Sequence, residues 1–265
     1  MLSRPPLAST LHGSGARMLL IHGDFSTGLQ TWRRQISDPV GRELLVIDRR
    51  GYGGNSPAEP PFTFALDAED ALVASDESGW DRFDLAGHSY GGLVAIETAR
   101  RAPARIRSLM LIEPPYMALL PEDPGVVAMR EGITRLWEHA PTLPDEQIAE
   151  GFFTIIAGPE ETARMRASRA WPAIVSQARR AVQAESAGLY PPGALIDLDP
   201  ALPVAVLTGG RSNIGIQAIA RELAHRIPGA SLHVSPVSGH VVQSDRACFD
   251  AARDALDLRA RESGR

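Results

Sequence analysis

At 265 residues, 44% of them hydrophobic and 22% charged, the chain can bury a sizeable core, and its composition excludes a disordered, collagen-like or coiled-coil protein. A formal net charge of −5 supplies no basic field for a phosphate backbone, so nucleic acid is not an expected partner. A single cysteine, Cys248, excludes an intramolecular disulfide framework and every multi-cysteine metal site.

The opening MLSRPPLAST lacks the continuous apolar stretch of a secretory signal, and no later run is long enough to span a membrane, so the cytoplasm is the expected location. Short apolar runs then recur as expected strands at 17–23, 43–49, 82–89, 106–115, 203–210 and 230–240. Helical periodicity separates most of them, as at Leu93 to Arg101, Gly215 to Ile227 and Asp245 to Leu258. Cys248 falls in the last of these at a spacing that suits a small buried apolar residue. Strands alternating with helices predict an α/β fold, a mostly parallel sheet with helices on both faces.

The rhythm breaks between about Pro115 and Pro200, where three helical stretches (125–140, 145–158 and 172–188) are punctuated by prolines. The expected organisation is a core of residues 1–114 and 201–265, with residues 115–200 inserted as a helical cap.

Gly87-His88-Ser89-Tyr90-Gly91 lies between an expected strand and an expected helix. A serine on so sharp a turn needs strained backbone angles and small neighbours, which Gly87, Gly91 and Gly92 supply. The turn presents the Ser89 hydroxyl over the carboxyl end of the sheet and aims the Tyr90 N–H at an oxyanion forming there. A phosphate cradle would need Gly-x-Gly-x-x-Gly or a following Lys-Ser/Thr pair, and neither occurs here.

Together with LLIHGD (19–24), DRRGYGGNS (48–56) and a late SGH (238–240), this turn resembles the motif set of the α/β-hydrolase superfamily across nearly the whole chain outside the cap. The resemblance implies a hydrolase with no cofactor and no metal. It makes His240, just before the final helix, the base that Ser89 requires. His22 and His88 read as loop-bracing residues, and His12, His139, His225 and His233 as surface, cap or strand positions. The backbone N–H of the residue after His-Gly serves the family as second oxyanion donor, here Asp24, with Phe25 the alternative if the register shifts by one. The Asp24 side chain would then turn outward or cap the helix near Thr27. Asp48, Arg49 and Gly51 read as structural.

A Ser-His pair ordinarily has a carboxylate that fixes the histidine tautomer. In most of the family it follows the strand after the cap, where this chain has TGGRSN (208–213), leaving uncharged Ser212 or Asn213 at the acid position. A dead hydrolase, a Ser-His dyad and an acid from elsewhere all remain open. Glu113, after the strand preceding the cap and before the rigid Pro114-Pro115, stands at the sheet rim and is the expected acid; its alternative is an ion pair with Arg105 or Arg107. Asp197 and Asp199 are the reserves, and Ser212 and Asn213 become candidates for hydrogen bonds near His240.

Phe25, Trp137, Phe152 and Phe153 are the expected pocket residues, suited to a small apolar acyl substrate. The expected activity is hydrolysis of carboxylic esters, lactones or related acyl compounds through an acyl-enzyme on Ser89. A lyase or carbon–carbon bond hydrolase on the same fold, and a non-catalytic ligand-binding protein, stay open beside it. The sequence leaves the oligomeric state open.

Overall fold

The structure, a computed structural model, describes residues 7–265 apart from the Ile196 side chain; residues 1–6 of the expected first core segment lie outside the described residues. Seven strands form one sheet: Ser9–Gly13 (β1), Ala16–Ile21 (β2), Arg42–Ile47 (β3), Phe83–His88 (β4), Ile106–Ile112 (β5), Val204–Gly209 (β6) and Ser231–Ser235 (β7). Their order is β1-β3-β2-β4-β5-β6-β7, with β1 antiparallel to β3 and every other pair parallel. The central strands read as unbroken apolar runs because both faces are covered.

Alternation along β2 divides the core. Leu19 and Ile21 face the layer of helices Phe64–Glu77 (α3), Tyr90–Arg101 (α4) and Ile214–Arg226 (α10), whereas Met18 and Leu20 face Trp32 and the final helix, Arg246–Glu262 (α11). Two short helices, Gly28–Thr31 (α1) and Arg33–Ser37 (α2), flank Trp32. Strand β1 and helix α3 have no counterpart among the expected elements. β1 is an exposed edge strand with little apolar signal, and the apolar residues that α3 buries are three alanines and Phe64.

Between β5 and β6 the described residues hold helices and no strand: Pro124–His139 (α5), Asp145–Ala157 (α6), Pro159–Arg166 (α7), Trp171–Val175 (α8) and Ala178–Val182 (α9). The helix expected over 172–188 is in fact two short ones, interrupted at Ser176 and Gln177 and ending in a 3₁₀ turn at Ala187–Leu189. This segment has a core of its own around Ile148, Phe153, Trp171 and Ala178, and Phe25 of the loop after β2 is packed into it. Among the described residues no helix is long and apolar enough to cross a membrane.

Candidate active site

The end of β4 and the start of α4 meet at Ser89, whose φ of 54° and ψ of −126° are costly for any residue with a side chain. Sterics explain the flanking glycines. A Cβ on Gly87 would lie 2.2 Å from the Gly91 carbonyl oxygen, and one on Gly91 would lie 2.5 Å from the Ile21 and His22 carbonyls at the end of β2. Phe25, Ser89 and Glu113 are three of the four non-glycine residues with positive φ among the described residues, and all three converge here. Strain of about 1–3 kcal/mol at each is tolerated where the surrounding structure over-determines the backbone.

Glu113 follows β5 directly and is fully buried. Its Oε2 accepts from His240 Nδ1 at 2.6 Å, and its Oε1 accepts from the Thr208 hydroxyl at 2.9 Å and the Gly209 N–H at 2.7 Å. With Nδ1 donating to a carboxylate, His240 keeps Nε2 free as a base. The end of β6, just before the vacated acid position, therefore contributes to the site through the Thr208 hydroxyl and the Gly209 N–H. A Cβ on Gly209 would strike the Ser238 and Gly239 carbonyls at 2.4 Å, so β6 passes tight against the loop carrying His240.

Ser212 and Asn213 do different work from that expected. Asn213 caps α10 by accepting from the Gly215 N–H at 2.8 Å and donates to the Ile155 carbonyl at 2.8 Å, and the buried Ser212 hydroxyl has no partner. Arg105 pairs with Asp76 and Arg107 with Asp84 and Asp257, so neither engages Glu113. The reserve acids are held elsewhere, Asp197 by Arg100 and Asp199 by Arg265.

The loop after β2 runs against Ser89, since a Cβ on Gly23 would lie 2.8 Å from that of Ser89. The backbone N–H groups of Asp24, Phe25 and Tyr90 have no partner among the described residues, which leaves these donors open beside the Ser89 hydroxyl. The Asp24 carboxylate neither turns outward nor caps a helix: Thr27 caps α1, and Asp24 Oδ1 accepts from Arg49 Nη1 at 3.0 Å and the Tyr52 hydroxyl at 2.7 Å. An arginine partner draws that negative charge away from the place where an oxyanion would form.

Two further histidines brace the site. His22 accepts the Arg49 N–H at Nε2 (2.9 Å) and donates from Nδ1 to the Gly23 carbonyl (2.6 Å); burial, then the Arg49 cation, hold its pKa well below the ordinary range. His88 donates from Nε2 to the His240 backbone carbonyl at 2.9 Å, and burial followed by the neighbouring His240 lowers it to about 3. Both rings are therefore neutral. His88 links the serine turn to the loop carrying His240, and its position beside Ser89 gave no sign of that partner.

Two cavities adjoin the site, one of about 60 Å³ and one of about 180 Å³, and Asp24, Ser89, Phe152 and His240 line both. Trp137 lines the smaller; Phe25 and Phe153 line the larger. The expected pocket residues are thus divided between two spaces. Ser89 and His240 face common space, and the Ser89 hydroxyl makes no hydrogen bond among the described residues.

Residues 18–252 match the profile of the Alpha/beta hydrolase family. Over 262 residues, covering 89% of this chain and 84% of the relative, the chain is 28% identical to 2-hydroxymuconate semialdehyde hydrolase of Pseudomonas putida. It is 32% identical over 103 residues to a putative carbamate hydrolase, RutD, of Azorhizobium caulinodans, a match that spans only 38% of either chain. A thermophilic esterase from Thermogutta terrifontis superposes with a TM-score of 0.72 at 24% identity, covering 96% of this chain and 94% of that one, a likeness of fold alone.

Proposed function

This chain belongs to the Alpha/beta hydrolase family, and on that premise we propose that it is a serine hydrolase acting on carboxylic esters, lactones or related acyl compounds. The observation that carries this reading is the buried contact of 2.6 Å between Glu113 and His240, in a site where Ser89 is held in a strained turn facing the same cavities.

His240 Nε2 takes the Ser89 proton as Oγ bonds to the substrate carbonyl carbon, and the oxyanion accepts from the N–H groups of Asp24 and Tyr90. Collapse breaks the bond to the leaving oxygen, which takes the proton from His240 and departs as an alcohol. Water then loses a proton to His240 and adds to the acyl carbon, and release of the carboxylic acid returns the proton to Ser89. Glu113 fixes the His240 tautomer and balances the imidazolium charge at each step. Residues 115–200 act as the cap over this chemistry, with the substrate entering between cap and core. No step calls for a cofactor or metal.

The test is a fluorophosphonate label together with release of p-nitrophenol from a short ester. Wild type is expected to label and turn over, and Ser89→Ala to do neither; equal hydrolysis by Ser89→Ala would overturn the assignment. A second reading, hydrolysis of a carbon–carbon bond, is favoured by the relative named 2-hydroxymuconate semialdehyde hydrolase, which matches most of the chain. Labelling of Ser89 without turnover of any ester would decide for it.

A further inference from the structure

The two cavities meet only at the reacting groups and at one cap residue, Phe152. Its ring is held on both sides: Phe25 stacks on it at 4.6 Å and Trp137 lies nearly parallel at 5.6 Å with 5° between the planes, while Phe153 meets it edge-on at 5.4 Å. Phe25 is fixed in turn by the loop that carries the Asp24 N–H, so this partition is tied to the oxyanion side of the site. Such a row of aromatic contacts resists rotation and makes a wall.

The spaces on its two sides differ in chemistry. The larger is bounded by Phe25, Phe153, Met165 and Ile174, with the uncharged polar Ser26, Gln30, Thr31 and Gln243 also in its wall, and Asp24, shared by both, is its only acidic or basic side chain besides the two histidines. The smaller has Ile133 and Met117 in its wall but also Arg130 and Glu185. Arg130 has no carboxylate partner among the described residues, its hydrogen bond going to the Pro121 carbonyl at 3.3 Å. Among the described residues Glu185 accepts only the Phe64 N–H, at 3.0 Å, and no cation pairs with it.

We infer that the substrate is a two-limbed acyl compound: its reacting carbonyl lies at Ser89, an uncharged and mainly apolar limb fills the larger chamber, a shorter limb ending in a hydrogen-bonding group fills the smaller, and Phe152 is the specificity residue that keeps the limbs apart. This rests on the acyl-transfer reading above and adds to it which molecular shapes are accepted. Filling either chamber lowers turnover of one limb selectively, because each methylene in an apolar pocket contributes roughly 1–3 kcal/mol to discrimination.

The experiment uses esters whose acyl and alcohol limbs are lengthened independently, with acid release followed in wild type, Ile174→Trp, Ile133→Trp and Phe152→Ala. The readout is the ratio of kcat/KM for the long over the short ester at each limb, which cancels any difference in folded fraction. Ile174→Trp is expected to lower the ratio at one limb roughly tenfold or more and Ile133→Trp the ratio at the other, whereas Phe152→Ala narrows the gap between the two ratios by about tenfold. The inference is overturned if both tryptophan variants depress the same limb, or if Phe152→Ala leaves both ratios within about twofold of wild type. If wild type hydrolyses no ester in the panel, the acyl-transfer reading itself fails; if it hydrolyses them without limb-specific effects, only the two-chamber inference fails.

Discussion

At the amino ends of the central strands, Asp84 of β4 is enclosed by donors: Arg42 Nη1 at 2.8 Å, Arg107 Nε at 2.7 Å, Arg107 Nη2 and the Ser108 hydroxyl at 2.6 Å. Asp257 of α11 completes the cluster, and against partial burial, which alone would raise it, Arg42 and Arg107 hold its carboxyl below the usual range. At the carboxyl ends, Arg49, Asp24, Asp67 and Arg180 form a second buried cluster beside Ser89, and it is incompletely paired. Among the described residues, Arg49 Nη2, Asp67 Oδ1 and both terminal nitrogens of Arg180 are buried without hydrogen-bond partners. Burial raises Asp67 despite Arg49, and burial together with the Arg49 cation lowers Arg180. A saturated cluster leaves no buried polar atom to offset, whereas unpaired buried groups are retained at a cost where a fold positions chemistry.

The sharpest separation of the two ends comes from Glu113→Gln. Loss of the charge that fixes the His240 tautomer is expected to lower kcat by roughly four orders of magnitude, as the corresponding change does in a serine protease. The amide still fits among the Thr208, Gly209 and His240 donors in part, so the urea midpoint should move little by comparison. Activity near wild type would remove Glu113 from the mechanism.

Asp84→Ala should do the reverse. It leaves Arg42 Nη1, in a side chain only 5% exposed, without its acceptor while Asp257 still holds Nη2, and is expected to cost about 3 kcal/mol of unfolding free energy while kcat per labelled Ser89 stays unchanged. Asp67→Asn lies between these cases. Replacing a charged acceptor of Arg49 Nε, bonded at 2.8 Å, should cost about 1.5–3 kcal/mol, and because Arg49 also holds Asp24, kcat should fall with it. If Asp67→Asn lowered stability alone, the contrast between the two ends would collapse.

How legible this was in the sequence depended on how local the determinant is. The serine turn is written in five consecutive residues, and the contact of Glu113 with His240 could be expected from the rim position of a strand end and a vacant place at 212–213. Asn213 was misread because an asparagine before a helix reads equally as a cap, and here the cap won. Strand β1 escaped because an edge strand exposed on nearly every residue has no apolar alternation to detect. The Asp24–Arg49 pair and the wall at Phe152 join residues far apart in the chain, and no spacing rule anticipates which rings will stack once the helices have packed.

The smallest expected effect is a slope in pH, and it tests the site end alone. His88 is buried and neutral, with a pKa lowered to about 3 by burial and by His240, whereas in the unfolded chain it titrates near 6.5. Above pH 6.5 neither state takes the proton, and the stability this neutral ring contributes is fully present. As pH falls from 6.5 towards about 3, the unfolded chain binds a proton that the folded protein refuses, and unfolding free energy should drop by about 1.4 kcal/mol per pH unit for this group. His22, lowered in the same way, adds its own share. Asp257 acts only when pH approaches about 4, whereas Asp67, raised by burial, and His233, lowered by burial, titrate alike in wild type and variant, so the difference between wild type and His88→Gln in urea midpoints between about pH 6.5 and 5 isolates His88. His88→Gln keeps an N–H donor for the His240 carbonyl and does not titrate, so its midpoint should fall less steeply over that window, with the His22 slope remaining. An unchanged slope would mean that folded His88 takes up the proton, and the neutral link between the serine turn and the base loop would have to be abandoned.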